Sequence, residues 1–271
     1  MNLSRFVGRS KVGLYACCCV LCVSILGSGA HATSIVAQLD EEKIVIAADT
    51  LGIDAAGIRH EDQCKLVLLG NYVFAAASIS SFSSTWPNRP AWDAKIEAQA
   101  AYRDHERDME AAARDWLERA ERYFSDLSVA DRLRAGSLVA SDPDHILTVG
   151  VFVGWSTEGK AEFILECVRF KEPSVEQVEH RIDILRARDL PYTTNVITQE
   201  LMEGHSNRAS AARKEWAIKS KAFPKSERDW RWLEFLIQKT STLTQVGEKV
   251  DILSLDREGH SDWLQRFGCK K

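Results

Sequence analysis

The run Lys43-Ile44-Val45-Ile46-Ala47-Ala48 constrains the fold of this chain more than any other feature. Its consecutive apolar residues leave no polar face for water, so a strand built from them must be covered on both sides. A partner stands just upstream in Ser34-Ile35-Val36-Ala37-Gln38, across the acidic turn Leu39-Asp40-Glu41-Glu42. Two β-branched runs around such a turn predict a hairpin. A second hairpin is predicted where only Gly70-Asn71 separates Cys64-Lys65-Leu66-Val67-Leu68-Leu69 from Tyr72-Val73-Phe74-Ala75-Ala76-Ala77.

Residues 81–91 are rich in Ser and Pro and read as loop. Across 92–124 the helix formers Ala, Glu and Arg take over. Tyr102, Met109, Ala113, Trp116 and Ala120 recur there at helical spacing, so they form a core-facing stripe. His105, Glu106 and Asp108 read as the solvated face of that helix. A shorter helix is expected at 129–138. Strands return at 146–155 and 161–170 around the turn Ser156-Thr157-Glu158-Gly159. Beyond Glu172 the chain is polar and reads as helical pieces, broken at Pro191 and Pro224. Residues 229–239 carry Trp230, Trp232, Leu233, Leu236 and Ile237 and predict an amphipathic helix. Residues 250–255 read as the final strand, ended by Asp256-Arg257-Glu258-Gly259. The order of strands, helices, strands, helices and strand predicts an α+β or layered α/β/α plan, with helices packed on antiparallel sheets.

A 45% hydrophobic and 27% charged composition supplies an ordinary globular core. A net charge of -4 argues against nucleic acid or an anionic membrane as the main partner. The N-terminus departs from this pattern. Arg5, Arg9 and Lys11 make a basic start, residues 12–26 are apolar, and small residues follow. Ala30-His31-Ala32 has the small-x-small form that signal peptidase cuts after. The apolar stretch falls short of the roughly 20 residues a membrane span needs. Residues 1–32 therefore read as a signal peptide and 33–271 as one exported domain, periplasmic or secreted and free of the membrane after cleavage. Cys17, Cys18, Cys19 and Cys22 leave with the leader, and Cys64, Cys167 and Cys269 stay. One disulfide among these three suits an oxidising compartment, and the sequence does not select the pair. Cys64 and Cys167 read as buried strand residues.

Cleavage after Ala32 turns Thr33 into the N-terminus, with a free α-amino group beside its own hydroxyl. A hydroxyl is a weak nucleophile and needs a base within hydrogen-bond reach, which that amine supplies. The reference pKa of an α-amine is about 7.7–8.0. A nearby Lys⁺ disfavours its protonation and lowers it further. Asp49 closes the second strand and Lys65 opens the third, so adjacent strands can bring both to Thr33. Asp49 would then keep Lys65 charged and oriented.

Thr33-Ser34-Ile35-Val36-Ala37, Val45-Ile46-Ala47-Ala48-Asp49-Thr50 and Cys64-Lys65-Leu66 resemble the proteasome-type N-terminal-nucleophile hydrolases. That family includes proteasome β-subunits and the bacterial two-component protease subunit. The resemblance runs from Thr33 to about Ser81 without insertion or deletion between the three motifs. It returns in the 146–170 hairpin and the segment from Gln245-Val246-Gly247 to Gly259. It implies a four-layer αββα sandwich and a catalytic centre of Thr33, Asp49 and Lys65. It also implies an amide-bond hydrolase, most simply a peptidase, that uses no cofactor and forms homo-oligomers by family habit.

The departures are specific. Where the family carries a glycine whose N–H helps bind the oxyanion, this chain reads Ala77-Ser78-Ile79-Ser80. The backbone around Ser78, Ile79 and Ser80 becomes the oxyanion candidate, since any residue but proline offers an N–H. A side chain there narrows the groove and disfavours long peptides. Leu51 and Ile53 stand where the family tends to have Arg and Thr. Glu203-Gly204-His205-Ser206 is the best candidate for the family's further Ser-bearing loop, which makes Ser206 a candidate. No zinc-type histidine pair, phosphate-binding glycine pattern or G-x-S-x-G elbow occurs. A catalytically silent binding or assembly module of the same fold is the second reading.

Overall fold

The computed structural model describes residues 34–39, 42–53, 59–106, 108–140, 145–171, 177–186, 194–196, 214–241 and 247–269. Thr33, the leader 1–32 and the loop carrying Ser206 lie outside them.

The fold is α+β, with antiparallel sheets and helices. β1 (Ile35–Leu39) and β2 (Lys43–Asp49) form the first predicted hairpin, paired from Ile35 opposite Ala48 to Leu39 opposite Ile44. Short pairs follow in β3 (Gly52–Ile53) with β4 (Arg59–His60). β5 (Leu66–Leu69) and β6 (Tyr72–Ser78) make the second hairpin across Gly70-Asn71. β7 (Ser81–Phe82) pairs with β8 (Trp92–Asp93) and closes the base of the predicted loop. β9 (Ile146–Trp155) and β10 (Ala161–Phe170) match the predicted strands.

The stretch expected as one helix divides into α1 (Ala94–Asp104) and α2 (Met109–Ser125). Asp108, read as part of a solvated helix face, instead ends the break, its carboxylate accepting from the Ala111 N–H at 3.0 Å as the α2 N-cap. α3 (Val129–Leu138) lies where expected and is capped by Ser128. α4 (Arg228–Ser241) is the amphipathic helix of the Trp-rich segment.

Two expectations are corrected. The polar segment beyond Glu172 holds β11 (Val178–Arg186) rather than only helical pieces. β11 is the edge of its sheet and pairs with β10 along its whole length. Along the sequence Val178, Ile182 and Ile184 are interleaved with Glu179, Arg181 and Asp183, which dilutes the apolar signal. β12 (Thr194–Val196) is likewise a strand. β13 (Val250–Asp256) is not the last strand, because β14 (Ser261–Gln265) returns beside it.

One sheet runs β12-β1-β2-β13-β14 and the other β11-β10-β9-β6-β5. Ile35, Ala37, Ile44, Ile46 and Leu253 of the first pack with Val73, Ala75, Val149, Val151 and Leu165 of the second in one apolar core. The other face of β6 and β9 packs under α1 and α2 through Phe74, Phe152, Trp92 and Trp116. Val36, Val45 and Ala47 pack under Leu233, Leu236 and Ile237 of α4. β2 is therefore covered on both faces, as its apolar run requires. Among the described residues no helix is long and apolar enough to cross a membrane.

Candidate active site

β2 ends at Asp49, and Lys65 stands immediately before β5 in the other sheet. Lys65 Nζ donates to both Asp49 oxygens at 3.0 Å, so this ion pair joins the two sheets. Asp49 is fully buried and Lys65 nearly so. Asp49 is also satisfied by main chain. Its Oδ1 accepts from the Ser34 N–H at 2.7 Å, and its Oδ2 from Leu51 and Gly247, each at 3.2 Å. Gly247 fits because a Cβ there would lie 2.8 Å from Leu51 Cβ and 2.9 Å from Leu51 N. Burial pushes the Lys65 ammonium below its usual pKa, and the charge and hydrogen bonds of Asp49 offset part of that fall.

Of the sequence-predicted site residues, Asp49 and Lys65 are thus brought together, and Ser34 donates its N–H to Asp49. Thr33 is peptide-bonded to the Ser34 nitrogen that donates to Asp49. The Ser34 hydroxyl itself is buried and has no hydrogen-bond partner among the described residues.

Ser78 ends β6, and the pairing of Leu66 with Ala75 puts it at the same end of that sheet as Lys65. Ser78 has φ 60, the left-handed conformation that favours glycine. Its hydroxyl donates to the Ile146 carbonyl at 2.8 Å. The next two amides are engaged internally: Ile79 N–H donates to Leu147 O and Ser80 N–H to Ser78 O, both at 2.9 Å. In this arrangement neither is open to a substrate oxygen.

Residues that sequence reasoning missed lie near the end of the chain. Cys64 forms a disulfide with Cys269, a separation of 205 residues. Cys64 is therefore a half-buried tether preceding β5 rather than a buried strand residue, whereas Cys167 is buried on β10 as expected. A closed loop of this length restricts the unfolded chain by about 5 kcal/mol in the chain-entropy picture. Asp251 is buried beside it and accepts from the N–H groups of Phe267, Gly268 and Cys269. Burial raises the Asp251 pKa, and those three amides partly counter the rise. Gly247 sits in a segment whose resemblance to the hydrolase family was visible. Asp251 lies in the same segment without a role assigned to it, and Cys269 lies beyond it with no local motif.

Two groups of potential metal donors occur among the described residues. In Cys64, Asp251 and Cys269 both sulfurs are spent in the disulfide. Asp256, Glu258 and His260 lie in the β13–β14 turn, where Asp256 already accepts from the His260 main chain at 2.7 Å. A cavity of about 210 Å³ lined by Asp108, Glu110, Glu158 and Glu162 lies beside the β9–β10 turn, away from the ion pair.

No family model and no curated protein matches this chain.

Proposed function

We propose that the protein is an exported amide-bond hydrolase that uses Thr33 as an N-terminal nucleophile on short peptides or small amides. The observation that carries this reading is the buried Asp49–Lys65 pair and its bond to the main-chain nitrogen of Ser34, the residue that follows Thr33. A buried ion pair with three amides on its carboxylate is costly to build for stability alone. Placed at a freed amine, it has a chemical use. Charge on Lys65 disfavours protonation of the α-amine and leaves it a base, while Asp49 fixes the ammonium. Thr33 Oγ then attacks the amide carbonyl as its proton passes to the amine. The tetrahedral intermediate expels the amine product and leaves an ester on Thr33, which water hydrolyses with the same base.

The three apolar cores, one between the sheets and one on the outer face of each, support a four-layer αββα arrangement. The disulfide supports export, since such bonds persist in oxidising compartments.

The test has two parts. Sequencing of the mature N-terminus should return Thr33. Thr33→Ala should reduce turnover to the uncatalysed level with an unchanged melting curve, and wild-type activity in that variant would falsify the mechanism. A silent binding module is the second reading, favoured by the internal engagement of the Ile79 and Ser80 amides. A β-lactone or epoxyketone separates the two, because only an active centre acquires the adduct on Thr33.

A further inference from the structure

The segment carrying Lys65 is held from the far end of the chain. Its neighbour Cys64 is bonded to Cys269. The tail around Cys269 is fixed in turn by the buried Asp251 carboxylate, with Gly268 N–H at 3.0 Å and Cys269 N–H at 3.1 Å. Gly268 runs directly over the Gln63 main chain. A Cβ on it would lie 2.6 Å from the Gln63 carbonyl oxygen and 3.0 Å from Asp251 Oδ2. Gln63 N–H donates to Thr50 O at 3.0 Å, beside Asp49. From the helical side, Lys95 Nζ donates to the Cys64 carbonyl at 3.1 Å. Sulfur, carbonyl and preceding main chain are therefore all held next to Lys65, and two of these holds run through residues 251–269.

We propose that Asp251 and the Cys64–Cys269 disulfide are the positioning elements for Lys65, so that the Asp49–Lys65 centre is assembled only in the oxidised protein. The proposal rests on reading that pair as the reactive centre, and it adds a condition to it. β5 begins only at Leu66, so Lys65 precedes the sheet and depends on this tether for its place. A dithiol reductant would release it. One reductant thiolate attacks Cys64 Sγ, on the less buried of the two residues, and Cys269 departs as a thiolate that takes up a proton. The second reductant thiol then displaces Cys64, leaving two protein thiols and an oxidised reductant. In a reducing compartment the chain would thus lack the fixed cation as well as the freed amine.

The test uses the mature protein, oxidised and after treatment with dithiothreitol. Lysine acylation read by mass spectrometry reports Lys65, β-lactone labelling reports Thr33, and amide exchange on β9 reports the core. Reduction should raise Lys65 acylation about 10-fold with β9 still protected. Labelling of Thr33 should fall about 100-fold in parallel. Lys65 that stays protected in the reduced, folded protein would overturn the proposal. If Lys65 responds while no state labels Thr33, the clamp stands and the hydrolase reading fails. If reduction also opens β9, Gly268→Ala in the oxidised protein decides the matter. Its added Cβ presses on Gln63 with the disulfide closed, and Lys65 exposed there supports the clamp while Lys65 protected refutes it.

Discussion

Asp49, at the end of β2, has three main-chain N–H groups and a lysine on its two oxygens, whereas Glu166, midway along β10, has no hydrogen bond on either among the described residues. Both carboxylates are fully buried. Glu166 falls between Ile164 and Val168, which pack under the α1–α2 layer, and faces Gly150 across the pair with β9. Burial pushes its carboxyl well above the ordinary value, with only partial relief from Arg114. The difference shows how a fold can carry two buried acids by opposite means. One is met by a set of donors gathered from four chain segments, and the other avoids charge by holding its proton.

The largest effect is expected at Lys65. Lys65→Ala leaves the Asp49 charge buried with amides alone and should cost about 3–5 kcal/mol in urea unfolding. Labelling of Thr33 should fall by about 100-fold or more in the same variant, in line with loss of a group that tunes a base. An unfolding midpoint within error of wild type would show that Asp49 does not need its cation.

Glu166 should behave the other way. Glu166→Leu removes a buried carboxyl that lacks partners and should stabilise the protein by about 1–3 kcal/mol. Its pH signature is the sharper check. Above the ordinary value of 4.5 the unfolded chain releases this proton while the native state retains it. Wild-type stability therefore falls as pH rises from there through the native value, and Glu166→Gln should flatten that decline. Equal slopes for wild type and Glu166→Gln would mean that Glu166 is not held neutral.

The smallest effect belongs to Ser78. Ser78→Gly removes the strain of a left-handed serine, worth about 1 kcal/mol, and loses a hydroxyl bond to Ile146 of about the same size. Its melting temperature should stay within a few degrees of wild type. A large change in either direction would show that strain and hydrogen bond do not offset one another.

Both ends of the ion pair were legible because the strands that carry them are unusually plain. The apolar run of β2 and the two-residue link between β5 and β6 specify their hairpins locally, with Asp49 at the end of β2 and Lys65 just before β5. The helix break at His105 was hidden because Asp108 acts as a cap only when viewed with Ala111, in a stretch whose composition is helical throughout. β11 was hidden because Glu179, Arg181 and Asp183 interrupt its apolar residues. The pairing of Gly247 with Asp49 and of Cys269 with Cys64 was out of reach for a different reason. Gly247 and Cys269 meet the first hairpins through sheet order, and no spacing along the chain encodes that β13 lies against β2.

That strand order has a consequence for synthesis. A nascent chain emerges with Ser34, Asp49 and Lys65 long before Gly247, Asp251 and Cys269. Until those later residues arrive, the carboxylate lacks one of its amides and the lysine segment lacks its tether. A chain cut short before residue 247 would carry every catalytic candidate and still have no formed centre. Completion of the polypeptide, rather than possession of the reactive residues, would then decide when reactivity begins.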